Sequence, residues 1–236
     1  MAIGLGDGTV ILYRHLDQSI YSTSGSLSTL PKPRVIHESP TEPITGLGFR
    51  EPTEETPYVY LFIVTTNRTL CYQASGKGSG GTPAVVDEIG AGLGCATMDW
   101  KAREIVVARD EAIYCCGTES RGACYAYEGV LIKSITRISH SSFTSGLKSR
   151  IHTHRNYIVI VSPPFTPTAS AASATVRNFV AKSVAPPGSE IAKVTVFDPE
   201  NKFVAHSGTF TEGIREVFSS WGKLFVLSND GKVCRA

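Results

Sequence analysis

Short apolar runs separated by polar, turn-forming residues dominate the chain. The runs are rich in Val, Ile, Tyr, Phe and Leu and are bounded by Gly, Asp, Asn, Ser and Pro, a pattern that predicts strands rather than helices. Strands are expected over 2–5, 9–14, 44–49, 58–65, 69–74, 94–99, 104–108, 112–116, 124–127, 157–161, 193–197, 203–207, 214–219, 223–227 and 232–234. No stretch carries the periodicity of a long amphipathic helix.

One unit recurs within this series: an apolar strand, a tight polar turn, and a second strand with alternating large residues. Its four copies lie over 2–13, 61–72, 105–114 and 224–233. The turns at Asp7-Gly8 and Asn229-Asp230-Gly231 supply the positive φ angles that a hairpin needs. From Asp7 to Asn67 is 60 residues and from Asn67 to Asp110 is 43, intervals compatible with propeller blades of about 40–45 residues plus variable loops. Further strands at 44–49, 94–99 and 214–219 fall where a blade requires them. A β-sandwich would account for the strand content but not for one hairpin type returning, so the fold class expected is all-β, a WD40-like β-propeller.

The layout that follows is blades over 1–129, an anomalous insertion over 130–155 that fits no blade, and closing blades over 156–236 with a disordered Pro-, Ser- and Ala-rich loop at 162–190. Because the chain starts inside a hairpin and stops just after one, the propeller is expected to be incomplete.

Composition narrows the partners. With 236 residues and 42% hydrophobic content the chain can bury a sizeable core. A net charge of +2 with scattered basic residues gives no electrostatic case for nucleic acid or an anionic membrane. The longest apolar runs fall far short of the roughly 20 residues of a membrane-spanning helix. The N-terminus carries no basic region or apolar run of a secretory signal, so a cytosolic protein with reduced thiols is expected. Cys71, Cys95, Cys115, Cys116, Cys124 and Cys234 then read as packed thiols rather than a disulfide framework.

Candidate chemistry is weak at every position. Gly4, Gly6 and Gly8 begin like a dinucleotide fingerprint, but Thr9 stands where the third glycine belongs and a strand follows instead of a helix. The 75–81 segment holds a Gly-Lys pair, yet Cys71 and Gly78 occupy positions where a P-loop needs Gly and Ser or Thr, so a flexible loop between strands is expected. His152 and His154, with His140 upstream, could offer imidazoles to a metal, but no Cys or acidic residue stands at zinc-site spacing and solvated histidines are expected. Cys115 and Cys116 are adjacent on a strand and point to opposite faces, so packing is their expected role. Asn67-Arg68-Thr69 matches a glycosylation sequon that a cytosolic chain would not use. No catalytic, cofactor-binding or metal residue is assigned. The competing reading is a propeller-type hydrolase or lyase with acidic groups around a channel; Asp7, Asp110, Glu111 and Asp230 would supply them, but all four stand at outward-facing turns.

An ordered series of motifs is more specific. Pro43-Ile44-Thr45-Gly46-Leu47-Gly48-Phe49-Arg50, Gly92-Leu93-Gly94-Cys95, Arg109-Asp110-Glu111-Ala112-Ile113-Tyr114 and Arg121-Gly122-Ala123-Cys124-Tyr125 occur in that order, followed by Trp221-Gly222-Lys223-Leu224-Phe225. This series resembles the N-terminal propeller of the vacuolar protein sorting-associated protein 11 (Pep five) family, and the 162–190 loop is most similar to that of a fungal member. The resemblance implies a non-catalytic scaffold in the HOPS and CORVET tethering complexes. It implies other class C vacuolar sorting subunits as partners, Rab GTPases and SNAREs as indirect ones, and peripheral attachment to the cytoplasmic face of late endosomes and vacuoles. The family's early blades, helical solenoid and zinc-binding RING have no counterpart in this sequence, so no cofactor or metal is carried over. The 130–155 stretch departs from the family pattern and is expected to be mis-annotated sequence such as a translated intron.

Overall fold

Turn chemistry and paired strands account for nearly all of the described backbone. The computed structural model describes residues 1–16, 31–109, 112–126, 150–161, 192–211 and 213–235. It is all-β, and every element it describes is a strand. Five antiparallel sheets follow one another in chain order, each a meander.

The first sheet consists of β1 (Ala2–Gly4), β2 (Thr9–Leu12) and β3 (Arg34–Glu38), and the second of β4 (Ile44–Arg50), β5 (Tyr60–Thr65), β6 (Thr69–Gln73) and β7 (Ala84–Asp87). The third runs β8 (Ala96–Asp99), β9 (Glu104–Arg109), β10 (Ala112–Cys116) and β11 (Arg121–Ala126). The fourth holds β12 (Arg150–His154), β13 (Tyr157–Val161), β14 (Ala192–Asp198) and β15 (Phe203–Phe210), and the fifth β16 (Ile214–Ser220), β17 (Lys223–Ser228) and β18 (Val233–Arg235). Four-stranded meanders in series are the construction of propeller blades. The four recurring hairpins are the strand pairs β1–β2, β5–β6, β9–β10 and β17–β18.

The chain forms two compact units. One comprises Met1–Val107 and Cys115–Gly122, the other Ala108–Tyr114 and Ala123–Ala236. In the first unit, β4 lies beside both β1 and β8. Val10, Leu12 and Ile36 of the first sheet pack with Ile44, Leu61, Ile63, Leu70 and Tyr72 of the second. In the other unit β12 lies beside β16, over a core of Val159, Val161, Val194, Val217, Leu224 and Val226.

Burial explains the two kinds of hydrophobic pattern. β5 (Tyr-Leu-Phe-Ile-Val-Thr), β10 and β13 are buried along almost their whole length, so they read as continuous apolar runs. β2 and β17 alternate buried and half-exposed positions, as strands with one covered face do. The partly exposed face of the first sheet aligns Ile3, Ile11 and Val35 across its three strands.

The structure redraws one boundary. Residues 150–154, inside the stretch expected to fit no blade, form β12, which pairs with β13 from Arg150↔Val161 to His154↔Tyr157. Ile151 is the buried residue that anchors this strand, and one apolar position among His, Thr and Arg is too little to signal a strand from sequence. Residues 130–149 and the 162–190 loop lie outside the described residues.

Candidate interaction surface

The first two recurring turns are locked by the sheet-to-sheet connections that pass over them. At the first, Asp7 Oδ1 accepts the Thr9 N–H at 3.0 Å, and the carbonyls of Leu5 and Gly8 accept Ile44 N–H and Ser39 N–H, both at 3.2 Å. Gly8 has φ +83°, and a Cβ there would lie 1.8 Å from the Ser39 carbonyl oxygen, so the conformation and the space both require glycine. At the second, Thr69 Oγ1 donates to Ile89 O at 2.7 Å, and the Arg68–Glu42 ion pair closes at 2.8 Å. Gly4, Gly6 and Gly8 are therefore parts of a hairpin and its turn, and no helix follows them.

The opposite ends of these strands carry longer loops. In the first unit the glycine-rich 75–81 loop is clamped by side chains from other elements. Arg14 and Arg34 donate to the Ser79 carbonyl at 2.9 and 3.1 Å, Arg34 also reaches Gly80 O at 3.0 Å, and the Tyr72 hydroxyl donates to Ser79 O at 2.6 Å. This is a braced loop rather than the flexible one expected, because two arginines and a tyrosine from other elements hold its carbonyls. The neighbouring 51–57 loop exposes Glu51, Glu54 and Glu55 and, with Arg103, lines a shallow open depression. Arg50 ties the 51–57 loop to the β10–β11 turn, donating to Thr56 and Thr118 at 3.3 and 3.2 Å.

The seam inside each unit is built differently. In the first, glycines let β1, β4 and β8 approach closely: a Cβ at Gly4 would meet Ile44 Cγ2 at 2.4 Å, at Gly46 the Ala96 Cβ at 2.8 Å, and at Gly48 the Met98 Sδ at 2.4 Å. In the second unit the β12–β16 seam is polar. Arg150 donates to the Arg215 carbonyl and lies 3.4 Å from Glu216, and Arg155 donates to Gly222 O at 2.9 Å. Between these contacts, His152 Nε2 and His154 Nδ1 both lie 2.8 Å from Ser219 Oγ. The hydroxyl carries one proton and can donate it to one ring only, so the other ring must donate its own N–H to Ser219.

His152 and His154, expected in an irregular solvated segment, thus share one face of a strand and one hydroxyl partner. Burial holds the pKa of both below the usual histidine value; Glu216 opposes this at His152, while Arg155 and His152 add to it at His154. Both are neutral at neutral pH. His140 lies outside the described residues.

The remaining flagged groups are dispersed. Cys115 and Cys116 are buried on β10. Burial pushes the Cys71 thiol up to about 12 and raises that of Cys116, whose Sγ lies 3.9 Å from Asp87; neither is a thiolate nucleophile at neutral pH. Asp87 pairs with Arg121 at 3.3 Å, yet burial still holds its carboxyl above the usual range. Burial, and then the nearby Asp99 carboxylate, does the same to Glu104 against the pull of Arg50. Asp7 and Asp230 each serve their own turn, Asp230 with Lys232 at 2.6 Å, and they belong to different units. Asp110 and Glu111 lie outside the described residues. Among the described residues no group of three or more His, Cys, Asp or Glu side chains could hold a metal ion.

Sequence reasoning passed over the turn residues at the loop ends. Trp100 and Trp221 stand on the β8–β9 and β16–β17 turns and are 57% and 96% exposed. The signal for the second was available: Trp-Gly fills a two-residue hairpin turn where Asn-Gly is usual.

Comparison with known proteins gives a consistent result. The family model described as PEP5/VPS11 N-terminal matches residues 1–236. The chain is similar to the vacuolar protein sorting-associated protein 11 homolog of Mus musculus, with 32% identity over 99% of this chain and 21% of the relative. It is also similar to the Homo sapiens homolog, with 30% identity over 99% and 21%, and to that of Dictyostelium discoideum, with 23% identity over 98% and 23%. The chain spans about a fifth of the length of these relatives.

Proposed function

Because this chain belongs to the PEP5/VPS11 N-terminal family, we propose that it is the non-catalytic scaffold domain of a class C vacuolar sorting subunit. It acts in the HOPS and CORVET tethering complexes, which dock endosomal and vacuolar membranes before fusion. The observation that carries this reading is the family match along the entire chain, at 30% identity or more to two curated homologs. The physical basis is a set of braced sheets that hold loops in fixed positions, which suits recognition without chemistry. Other class C subunits are its direct partners. Rab GTPases and SNAREs are reached through them, and attachment to the cytoplasmic face of late endosomes and vacuoles is peripheral, through the complex.

The hydrolase or lyase reading finds no support in the side chains. Its candidate carboxylates at Asp7 and Asp230 are engaged in their own turns, and the Cys71 and Cys116 thiols are held protonated. A cell-free docking assay with isolated vacuoles tests the scaffold role. The full-length protein should restore docking to a preparation depleted of it, and a version without residues 1–236 should restore much less. Equal rescue by both would remove the domain from the tethering function.

A further inference from the structure

Two-residue hairpin turns of the Trp221-Gly222 kind demand positive φ at both positions, which is why Asn-Gly or Asp-Gly normally fills them. Ser220 pairs with Lys223 across this turn, and Trp221 and Gly222 have φ of 52° and 68°. A bulky aromatic in the left-handed region is a genuine outlier. Trp221 is also 96% exposed, so its indole recovers none of that strain by packing. A strained, unpacked Trp is where an outlier argues for a function outside the fold.

Its neighbours give it a charge context. The Arg155 guanidinium, itself on a turn residue with φ 54°, holds the Gly222 carbonyl at 2.9 Å and so fixes the Trp221 turn against the β12–β13 turn. Lys223 follows Trp221 directly. The β14–β15 turn projects from the same end of the fourth sheet as the β12–β13 turn, about 10–15 Å away at ordinary strand spacing. That turn presents Lys202 at φ 59° and the exposed Phe203. It is built on Asp198, whose Oδ1 accepts the N–H groups of Glu200 and Asn201 at 3.0 and 3.1 Å. Three exposed cations, Arg155, Lys202 and Lys223, thus stand against one carboxylate, Glu200, around an exposed indole. The first unit offers a contrast: Trp100 sits on a turn next to the acidic 51–57 loop.

We infer that the hairpin ends of the second unit, with Trp221 at the apex and Arg155, Lys202 and Lys223 around it, contact an anionic phospholipid membrane directly. Trp221 enters the headgroup layer, where an amphipathic indole is at home, and the three cations meet lipid phosphates. Trp221 is 96% exposed, so no described residue walls it in, which fits a lipid surface better than the closed pocket that a protein hot spot requires. The scaffold reading stands with or without this contact, which adds to attachment through the complex and rests on a local cluster of cations that the net charge of +2 does not reveal.

Flotation of the full-length protein with vesicles of 70% phosphatidylcholine and 30% phosphatidylserine tests the inference. The protein should float with these vesicles and not with phosphatidylcholine alone, and 0.5 M salt should release it. Trp221→Asn is the decisive variant: Asn-Gly suits the turn better, so folding is kept or improved while binding should fall about 10-fold. Lys202→Ala and Lys223→Ala should each lower binding about 5-fold, from roughly 1 kcal/mol per basic residue at an anionic surface, whereas Trp100→Phe should leave it unchanged. Overturning results are a protein that fails to float, or flotation that Trp221→Asn leaves intact. The same holds if Trp221→Asn abolishes co-purification with another class C subunit and spares flotation, because the tip would then dock a protein.

Discussion

The two units solve the same joint in opposite ways. Where β4 lies between β1 and β8, closeness is achieved by removing side chains at Gly4, Gly46 and Gly48, which face Ile44, Ala96 and Met98. Where β12 lies beside β16, the strands are joined by Arg150, His152, His154 and Arg155 acting on Glu216, Ser219 and backbone carbonyls. A dry seam responds chiefly to volume. A polar seam tolerates volume changes and responds to protons, so one architecture yields two units with different sensitivities.

The largest expected effect breaks the dry seam. Gly46→Val places new methyl groups against Ala96, whose Cβ already lies 2.8 Å from a Cβ built at that glycine. Overpacking of this kind costs about 3 kcal/mol, a fall in Tm of roughly 6–12 °C for a chain of this size by calorimetry. A loss below about 1 kcal/mol would mean that the seam relaxes and is not tight.

The polar seam is tested by pH. With folded-state pKa values below the unfolded value of 6.5, His152 and His154 bind fewer protons in the folded protein. Their stabilisation is complete above pH 6.5 and is lost as the pH falls through the window below it. Partial exposure screens the effect to under about 1 kcal/mol. His37 in the first unit has the same sign, so the informative quantity is a difference. The His152→Asn/His154→Asn double variant should lose less Tm than the wild type between pH 7.5 and 5.5, and equal losses would exclude the seam as the source.

A smaller effect of opposite sign sits at Glu104. Its carboxyl is raised by burial and then by Asp99, so its charged form is disfavoured at neutral pH, and acidification relieves that penalty. Glu104→Gln should stabilise by a fraction of about 1 kcal/mol at pH 7, discounted for its partial exposure, and the gain should vanish toward pH 4.5. A gain independent of pH would point to packing instead. Smallest of all, Lys232→Ala removes a surface partner of Asp230 and should leave Tm within about 1 °C.

The strands that were legible in the sequence are those that bury most of their length. β5, β9, β10 and β13 announce themselves as apolar runs, and the four recurring hairpins were found from Asp, Asn and Gly at their turns. β3, β7 and β12 were not foreseen. Each buries a single residue, Ile36, Val86 and Ile151 respectively, so neither alternation nor a run can form. The surface was harder to read for a related reason. His152 and His154 were visible as a pair, but Ser219 lies 65 residues beyond His154, and only the β12–β16 neighbourhood brings them together. Trp221 entered only as part of a motif, and its exposure follows from its place on a turn.

The central claim is that this domain serves a class C tethering subunit, and assembly tests it most directly. Full-length protein carrying residues 1–236 should be co-expressed with the other class C subunits and analysed by size exclusion with mass measurement. The account predicts one stable complex containing every subunit at fixed stoichiometry. Elution of the full-length protein alone, folded and free of all of them, would contradict it.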